Sequence, residues 1–130
     1  MGGGQRGMAW PNHPGVYIFM ATLNVGAGQA YAKLSAAVAA SHDGDVIEVV
    51  GGVHHEHLRI DRPITLLGLN RPVIDGDGGG DVIEITAPGV TFKGFVVRDT
   101  GIDLEKENAA IRVLAPRATI EDNILQDVLF

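Results

Sequence analysis

Two segments of this sequence repeat the same pattern 28 positions apart. Residues 87–99 read APGVTFKGFVVRD, and residues 115–127 read APRATIEDNILQD. Both contain Ala-Pro, a small apolar residue, Thr, a large apolar residue, two turn-like residues, and then apolar residues and Asp. Residues 62–69 form a looser copy at an offset of 26. Because a β-rich unit repeating every ~20–50 residues is typical of solenoids, the repeat restricts this chain to folds that stack equivalent turns.

Positions matched across the 28-residue offset keep the same apolar chemistry. They pair Ile83 with Ile111, Ile85 with Val113, Phe92 with Ile120, and Val97 with Leu125. A solenoid core requires this stacking of like on like. A β-sandwich would instead show hairpin signals between its strands, and Asp75-Gly76 is the one candidate here. The sequence therefore predicts an all-β chain folded as a right-handed, single-stranded parallel β-helix.

Composition excludes several classes of function. The chain has 130 residues, which indicates one domain, and its formal net charge of −6 argues against a nucleic acid as partner. It has no cysteine, which excludes a disulfide framework and a thiolate metal site. No apolar run approaches the ~18 residues of a membrane span, and residues 16–21 are too few for the apolar core of a signal peptide.

The chain divides into an arm and a domain. Residues 1–20, with a glycine-rich start, are predicted to lie outside the fold, and residues 21–130 to form the β-helix. Apolar residues recur with helical spacing within residues 29–41, which predicts a helix that covers the amino-terminal end of the solenoid. Residues 124–130 are largely apolar and provide no comparable cap. The pattern therefore predicts the amino-terminal part of a longer solenoid.

A run of histidines forms the first candidate site. His54, His55 and His57, with Glu56 between them, offer imidazole and carboxylate ligands that suit copper or zinc. In a strand His55 and His57 would share one face, while His54 would point the other way. Residues 51–60 indicate a turn followed by a strand, so solvated side chains at a turn are the alternative. The three histidines are predicted as candidate copper ligands.

A glycine-rich segment, residues 76–81, forms a second candidate. Its sequence GDGGGD resembles one calcium-binding nonapeptide of a β-roll. That motif works in tandem and occurs once here, so the segment predicts a flexible turn rather than a calcium site.

Two aspartates form the third candidate. Asp99 and Asp127 occupy matched positions in successive repeats, and stacked coils lie about 4.8 Å apart. Carboxylates at about 5–5.5 Å can serve a retaining glycosidase, so this pair is a candidate catalytic pair. Asp also closes strands and turns routinely, and a solvated acidic ladder is the alternative.

Five stretches of the chain carry a resemblance to known proteins: residues 31–37 (YAKLSAA), 44–49 (GDVIEV), 52–68 (GVHHEHLRIDRPITLLG), 72–76 (PVIDG) and 90–95 (VTFKGF). On these stretches the chain, from Thr22 onward, resembles the NosD family, the β-helical maturation factors for the copper sites of nitrous oxide reductase. It also resembles the wider pectin-lyase-like pattern of carbohydrate-binding and sugar-hydrolysis repeats.

The resemblance implies a non-enzymatic periplasmic accessory protein for copper-site assembly. Its implied partners are the ATPase and permease of an ABC-type transporter and nitrous oxide reductase. The alternatives are a carbohydrate-binding or carbohydrate-active β-helix, such as a lyase, hydrolase or epimerase, and a structural or binding solenoid without chemistry.

Overall fold

A computed structural model describes residues 20–100 and 109–126 of the chain. This part contains one helix, α1 (Leu34–Ala40), and twelve short strands. The strands are β1 (Thr22–Val25), β2 (Val46–Val50), β3 (Val53–His55), β4 (Leu58–Ile60), β5 (Thr65–Leu69), β6 (Val73–Asp75), β7 (Ile83–Ile85), β8 (Thr91–Lys93), β9 (Val96–Arg98), β10 (Ile111–Val113), β11 (Thr119–Glu121) and β12 (Ile124–Gln126).

The strands form three parallel sheets that the chain visits in turn. The five-stranded sheet has the order β1-β2-β5-β8-β11, the four-stranded sheet the order β3-β6-β9-β12, and the three-stranded sheet the order β4-β7-β10. Each strand pairs with its equivalent one coil away, so about four turns stack into a parallel β-solenoid. The all-β solenoid fold predicted from the repeat is confirmed.

The core consists of apolar columns that run through the stack. In the five-stranded sheet, Phe92 pairs in register with Ile120 of the next coil and Leu66 of the preceding one. Leu66 and Phe92 are fully buried. The pairing confirms the stacking that the sequence offset predicts. Alternation along each strand explains the columns, because every second side chain points inward.

Asn123 closes one corner between coils. Its side-chain oxygen accepts a hydrogen bond from the backbone N–H of Phe95 at 3.0 Å, and its amide nitrogen donates to the carbonyl of Phe92 at 3.0 Å. The rings of Phe92 and Phe95 stack inside this corner, with centroids 4.4 Å apart. A side chain thus satisfies backbone groups at the point where the β-ladder is interrupted.

The helix is shorter than the predicted span of residues 29–41. It begins at Leu34 because the backbone of Tyr31 bonds to the first strand instead: its N–H donates to Asn24 at 3.1 Å, and its carbonyl accepts from Gly26 at 2.9 Å. Lys33 provides no side-chain cap. The carboxylate of Glu56 takes that role and accepts hydrogen bonds from the first N–H groups of α1.

The position of α1 agrees with the predicted covering role. It contacts β1, β2 and β4, and buries Leu34, Ala37 and Val38 against the amino-terminal end of the core. Residues 1–19 lie outside the described part, so the arm predicted for residues 1–20 stays a prediction. Within the described residues, no helix is long and apolar enough to cross a membrane.

Candidate functional site

A column of polar side chains runs along the outer face of the four-stranded sheet. The register places His55 of β3 beside Asp75 of β6, Asp75 beside Arg98 of β9, and Arg98 beside Gln126 of β12. Neighbouring strands lie about 4.8 Å apart, so these side chains are within reach of one another. The column brings an imidazole, a carboxylate and a guanidinium together on one face.

Asp75 is the buried centre of this column, with a relative exposure of 4%. One carboxylate oxygen accepts the backbone N–H of Asp77 at 2.8 Å, and the other accepts Nε of Arg98 at 2.9 Å. Burial by itself would raise the pKa of Asp75. The N–H of Asp77, the Arg98 guanidinium and a hydrogen bond with the Asp99 carboxyl group outweigh burial and lower the pKa to about 2.

Asp99, one of the two predicted catalytic aspartates, lies beside Arg98, which also binds Asp75. One of its carboxylate oxygens lies 3.7 Å from Nε of Arg98. Asp127 lies outside the described residues, so the predicted pairing of Asp99 with Asp127 stays a prediction. Asp75 is not among the site residues predicted from the sequence, although its position directly after the apolar Ile74 of β6 could have indicated it.

The glycine-rich turn of residues 76–81 lies against two histidines. Nδ1 of His55 is 2.8 Å from a carboxylate oxygen of Asp77. The ring nitrogens of His57 lie 2.6 Å and 2.9 Å from the carbonyl oxygens of Asp81 and Gly76. A methyl group at Gly76 would lie 2.7 Å from the carbonyl oxygen of Asp99, so only glycine fits there. The turn thus packs against the polar column.

The three predicted histidines point to different surroundings. His54 shares an inward-facing column with the buried Ile74, and its Nε2 is buried without a hydrogen-bond partner among the described residues. Burial lowers the pKa of His54, and Glu56 opposes that effect. His54 and His55 lie in β3, not in the turn that residues 51–60 indicate, because β3 pairs with β6. One site formed by His54, His55 and His57 together stays a prediction.

One group in the described part of the chain could hold a metal ion. Ligand atoms of His55, Asp75 and Asp77 all lie within 4.8 Å of one another. Imidazole and carboxylate ligands suit zinc and copper. Arg98 already neutralises one oxygen of Asp75, so the group offers His55 and Asp77 as its accessible ligands, with exposed side-chain fractions of 57% and 61%.

We expect metal binding, tested with Cu²⁺ or Zn²⁺ alone, to depend on His55. His55→Ala should weaken binding about tenfold or more, because it removes the one imidazole beside two carboxylates. His54→Ala is the control, since His54 lies on the opposite face. Calorimetric titration measures both. Equal weakening by the two variants would contradict this placement of the ligands.

The low pKa of Asp75 predicts an acid-dependent loss of stability. A folded-state pKa of about 2 lies below the value of about 3.9 for an unfolded Asp. The ionised carboxylate therefore stabilises the fold above about pH 4, and this contribution is lost as the pH falls through about 2. Urea denaturation should show wild type exceeding Asp75→Asn in stability at about pH 6, with the gap narrowing towards about pH 2. A gap that does not change with pH would contradict this assignment.

Comparison with known proteins defines the fold. No family model and no curated protein matches the sequence. Among solved structures, the chain is similar to a mutant pectin methylesterase in complex with a hexasaccharide, with a TM-score of 0.66 and 20% identity. The match covers 80% of this chain and 44% of that one. This likeness shows a pectin-lyase-like parallel β-helix, consistent with the predicted right-handed coil, and this chain spans less than half of that protein's length.

Proposed function

We propose that this chain belongs to a carbohydrate-binding or carbohydrate-active β-helix protein, and that the outer column of the four-stranded sheet contacts the sugar. The observation that supports the proposal is the convergence of the Asp75 and Asp99 carboxylates on Arg98, whose Nε lies 2.9 Å from an oxygen of Asp75 and 3.7 Å from an oxygen of Asp99. Carboxyl and guanidinium side chains that converge on an outer sheet face can bind and orient the hydroxyls and carboxylates of a ligand.

Exposed side chains in the column and directly beside it supply both kinds of hydrogen-bonding group. Asp77 and Asp99, with side-chain exposures of 61% and 40%, offer acceptors to sugar hydroxyls. His55, at 57%, offers a ring nitrogen, and the guanidinium of Arg98, at 32%, offers donors. A guanidinium pairs well with a carboxylate, so the column favours an acidic sugar such as a uronate.

The structural neighbour gives independent support for a carbohydrate ligand. That protein is a pectin methylesterase, and its structure contains a hexasaccharide. This chain spans 44% of that protein and shares 20% identity with it. The likeness therefore supports a carbohydrate ligand here, and an esterase activity of this chain is part of the proposal.

Binding of defined oligosaccharides tests the proposal. We expect calorimetric titration with oligogalacturonides, in acidic and methyl-esterified forms, to show binding that Asp99→Asn weakens about tenfold or more. Asn is a suitable replacement because Asp99 has φ of +58°, a conformation that Asn tolerates. Turnover of the same oligosaccharides, measured as released methanol, acid or unsaturated product, identifies the reaction class.

Asp61→Asn is the matched control. Asp61 is also an exposed aspartate paired with an arginine, and it lies outside the column. Equal loss of binding in both variants would mean that net charge, not the column, holds the sugar. The absence of binding to uronate and neutral oligosaccharides would contradict the proposed function.

A second candidate is the copper-assembly role implied by the sequence resemblance. The observation that favours it is the group formed by His55, Asp75 and Asp77, which could hold a metal ion. The periplasmic location, the ABC-type transporter and nitrous oxide reductase remain parts of this second proposal. Copper binding that is lost in His55→Ala, with no affinity for oligosaccharides, would favour this candidate over the first.

A further inference from the structure

The imidazole of His57 joins the two ends of the glycine-rich turn, residues 76–81. Its Nε2 lies 2.9 Å from the carbonyl oxygen of Gly76, and its Nδ1 lies 2.6 Å from the carbonyl oxygen of Asp81. A carbonyl oxygen only accepts hydrogen bonds, whereas an imidazole donates from at least one nitrogen in either protonation state. At least one of the two contacts is therefore a hydrogen bond from the ring to the turn.

The absence of side chains from the turn leaves room for this ring. A methyl carbon at Gly79 would lie 3.2 Å from Nε2 of His57, and one at Gly76 would lie 3.4 Å from Cε1 of the same ring. A side chain at either position would press on the imidazole. The glycines of the turn thus form the place in which the ring of His57 lies.

The backbone of the turn is bound to the polar column. The N–H groups of residues 76–78 donate, in chain order, to the carbonyl of Arg98 at 3.0 Å, the carboxylate of Asp75 at 2.8 Å and the carbonyl of Asp99 at 2.9 Å. The turn also carries Asp77, whose exposed carboxylate lies beside the column. The conformation of the turn therefore sets where Asp77 stands relative to Asp99.

Packing alone does little to fix this conformation. Asp77, Gly78 and Gly80 have φ of +53°, +71° and +112°, and a methyl carbon at Gly78 would meet no atom of the described residues within 4 Å. Glycine loses more conformational freedom on ordering than any other residue. Specific contacts are therefore needed to hold the turn in one shape, and His57 supplies contacts at both of its ends.

We propose that His57 is a positioning residue for sugar binding. It acts through the turn, holding Asp77 beside the polar column in the arrangement that contacts the ligand. A binding site gains affinity when groups behind the contacting side chains fix their positions before the ligand arrives. This role rests on the proposed function, and the experiment below has one arm that uses sugar and one that does not.

Oligogalacturonide binding, measured by calorimetric titration, is the first arm. His57→Ala should weaken binding about three- to tenfold, because it removes the hydrogen bonding that holds the turn. His57→Gln should retain most of the affinity, since its side-chain amide can donate to the carbonyl of Gly76. His42→Ala is the control and should bind like wild type: His42 is an exposed histidine that lies beside Asp45, outside the column.

Amide hydrogen exchange without sugar is the second arm. In His57→Ala the amides of Asp77 and Gly78 should exchange about three- to tenfold faster than in wild type, while those of β5 should not change. A residue that merely supports the whole fold would speed exchange in β5 as well. An equal increase in β5, or no increase at Asp77 and Gly78, would overturn the positioning role.

The sugar arm separates this role from the proposed function. Wild-type affinity in His57→Ala would overturn the positioning role and leave the proposed function standing. Equal weakening by His42→Ala, or a glutamine variant as weak as the alanine variant, would overturn the role in the same way. A wild-type chain that binds no oligosaccharide would contradict the proposed function itself, and the role of His57 in sugar binding with it.

Discussion

Gly94→Ala is expected to lower the free energy of unfolding by about 2–5 kcal/mol. Gly94 follows β8 with φ of +88°, in the left-handed region that favours glycine. A methyl carbon at this position would lie 2.6 Å from the carbonyl oxygen of Gly68, the glycine of the preceding coil. Two causes therefore add: about 1–2 kcal/mol of backbone strain, and about 1–3 kcal/mol for separating the coils.

Gly44→Ala separates the two causes. Gly44 has the same φ of +88°, but a methyl carbon there would meet no atom within 4 Å. It should therefore lose only the strain, about 1–2 kcal/mol. Urea denaturation of wild type and both variants measures the difference. Equal losses at Gly44 and Gly94 would show that the close contact between coils at Gly68 does not restrict the residue.

Phe92→Ala is expected to lower the free energy of unfolding by about 3–5 kcal/mol. Phe92 is fully buried in the column between Leu66 and Ile120, and its ring stacks on Phe95 at an interplanar angle of 10°. Removing the ring leaves a cavity between stacked coils and removes the contact with Phe95, and the rigid ladder limits how far neighbouring coils can close the gap.

Ile120→Ala is the control in the same column, one coil later. Ile120 retains 39% exposure, so its truncation should cost about 1 kcal/mol. Urea denaturation of both variants and the wild type measures the difference. A loss at Ile120 as large as that at Phe92 would contradict the partial exposure of Ile120.

The site could be predicted less completely than the fold. Asp99 and His55 were recognised as candidates, but the partner that joins them, Asp75, was not. The obstacle is the variable length of the coils: Asp75 pairs with Arg98 at an offset of 23, whereas the recognised repeat has an offset of 28. A sequence comparison at one fixed offset therefore places Asp75 beside the wrong residue.

The 28-residue repeat was sufficient to predict the solenoid and the apolar columns of its core. Phe92 was correctly placed against Ile120, because a repeat of apolar positions can be recognised along the chain itself. The folded chain was needed to show that His54 turns inward while His55 faces Asp77, and that Tyr31 joins β1 instead of α1. The first outcome depends on the pairing of β3 with β6, about 20 residues later in the chain. The second depends on backbone hydrogen bonds that join Tyr31 to Asn24 and Gly26, which the helical spacing of apolar residues does not record.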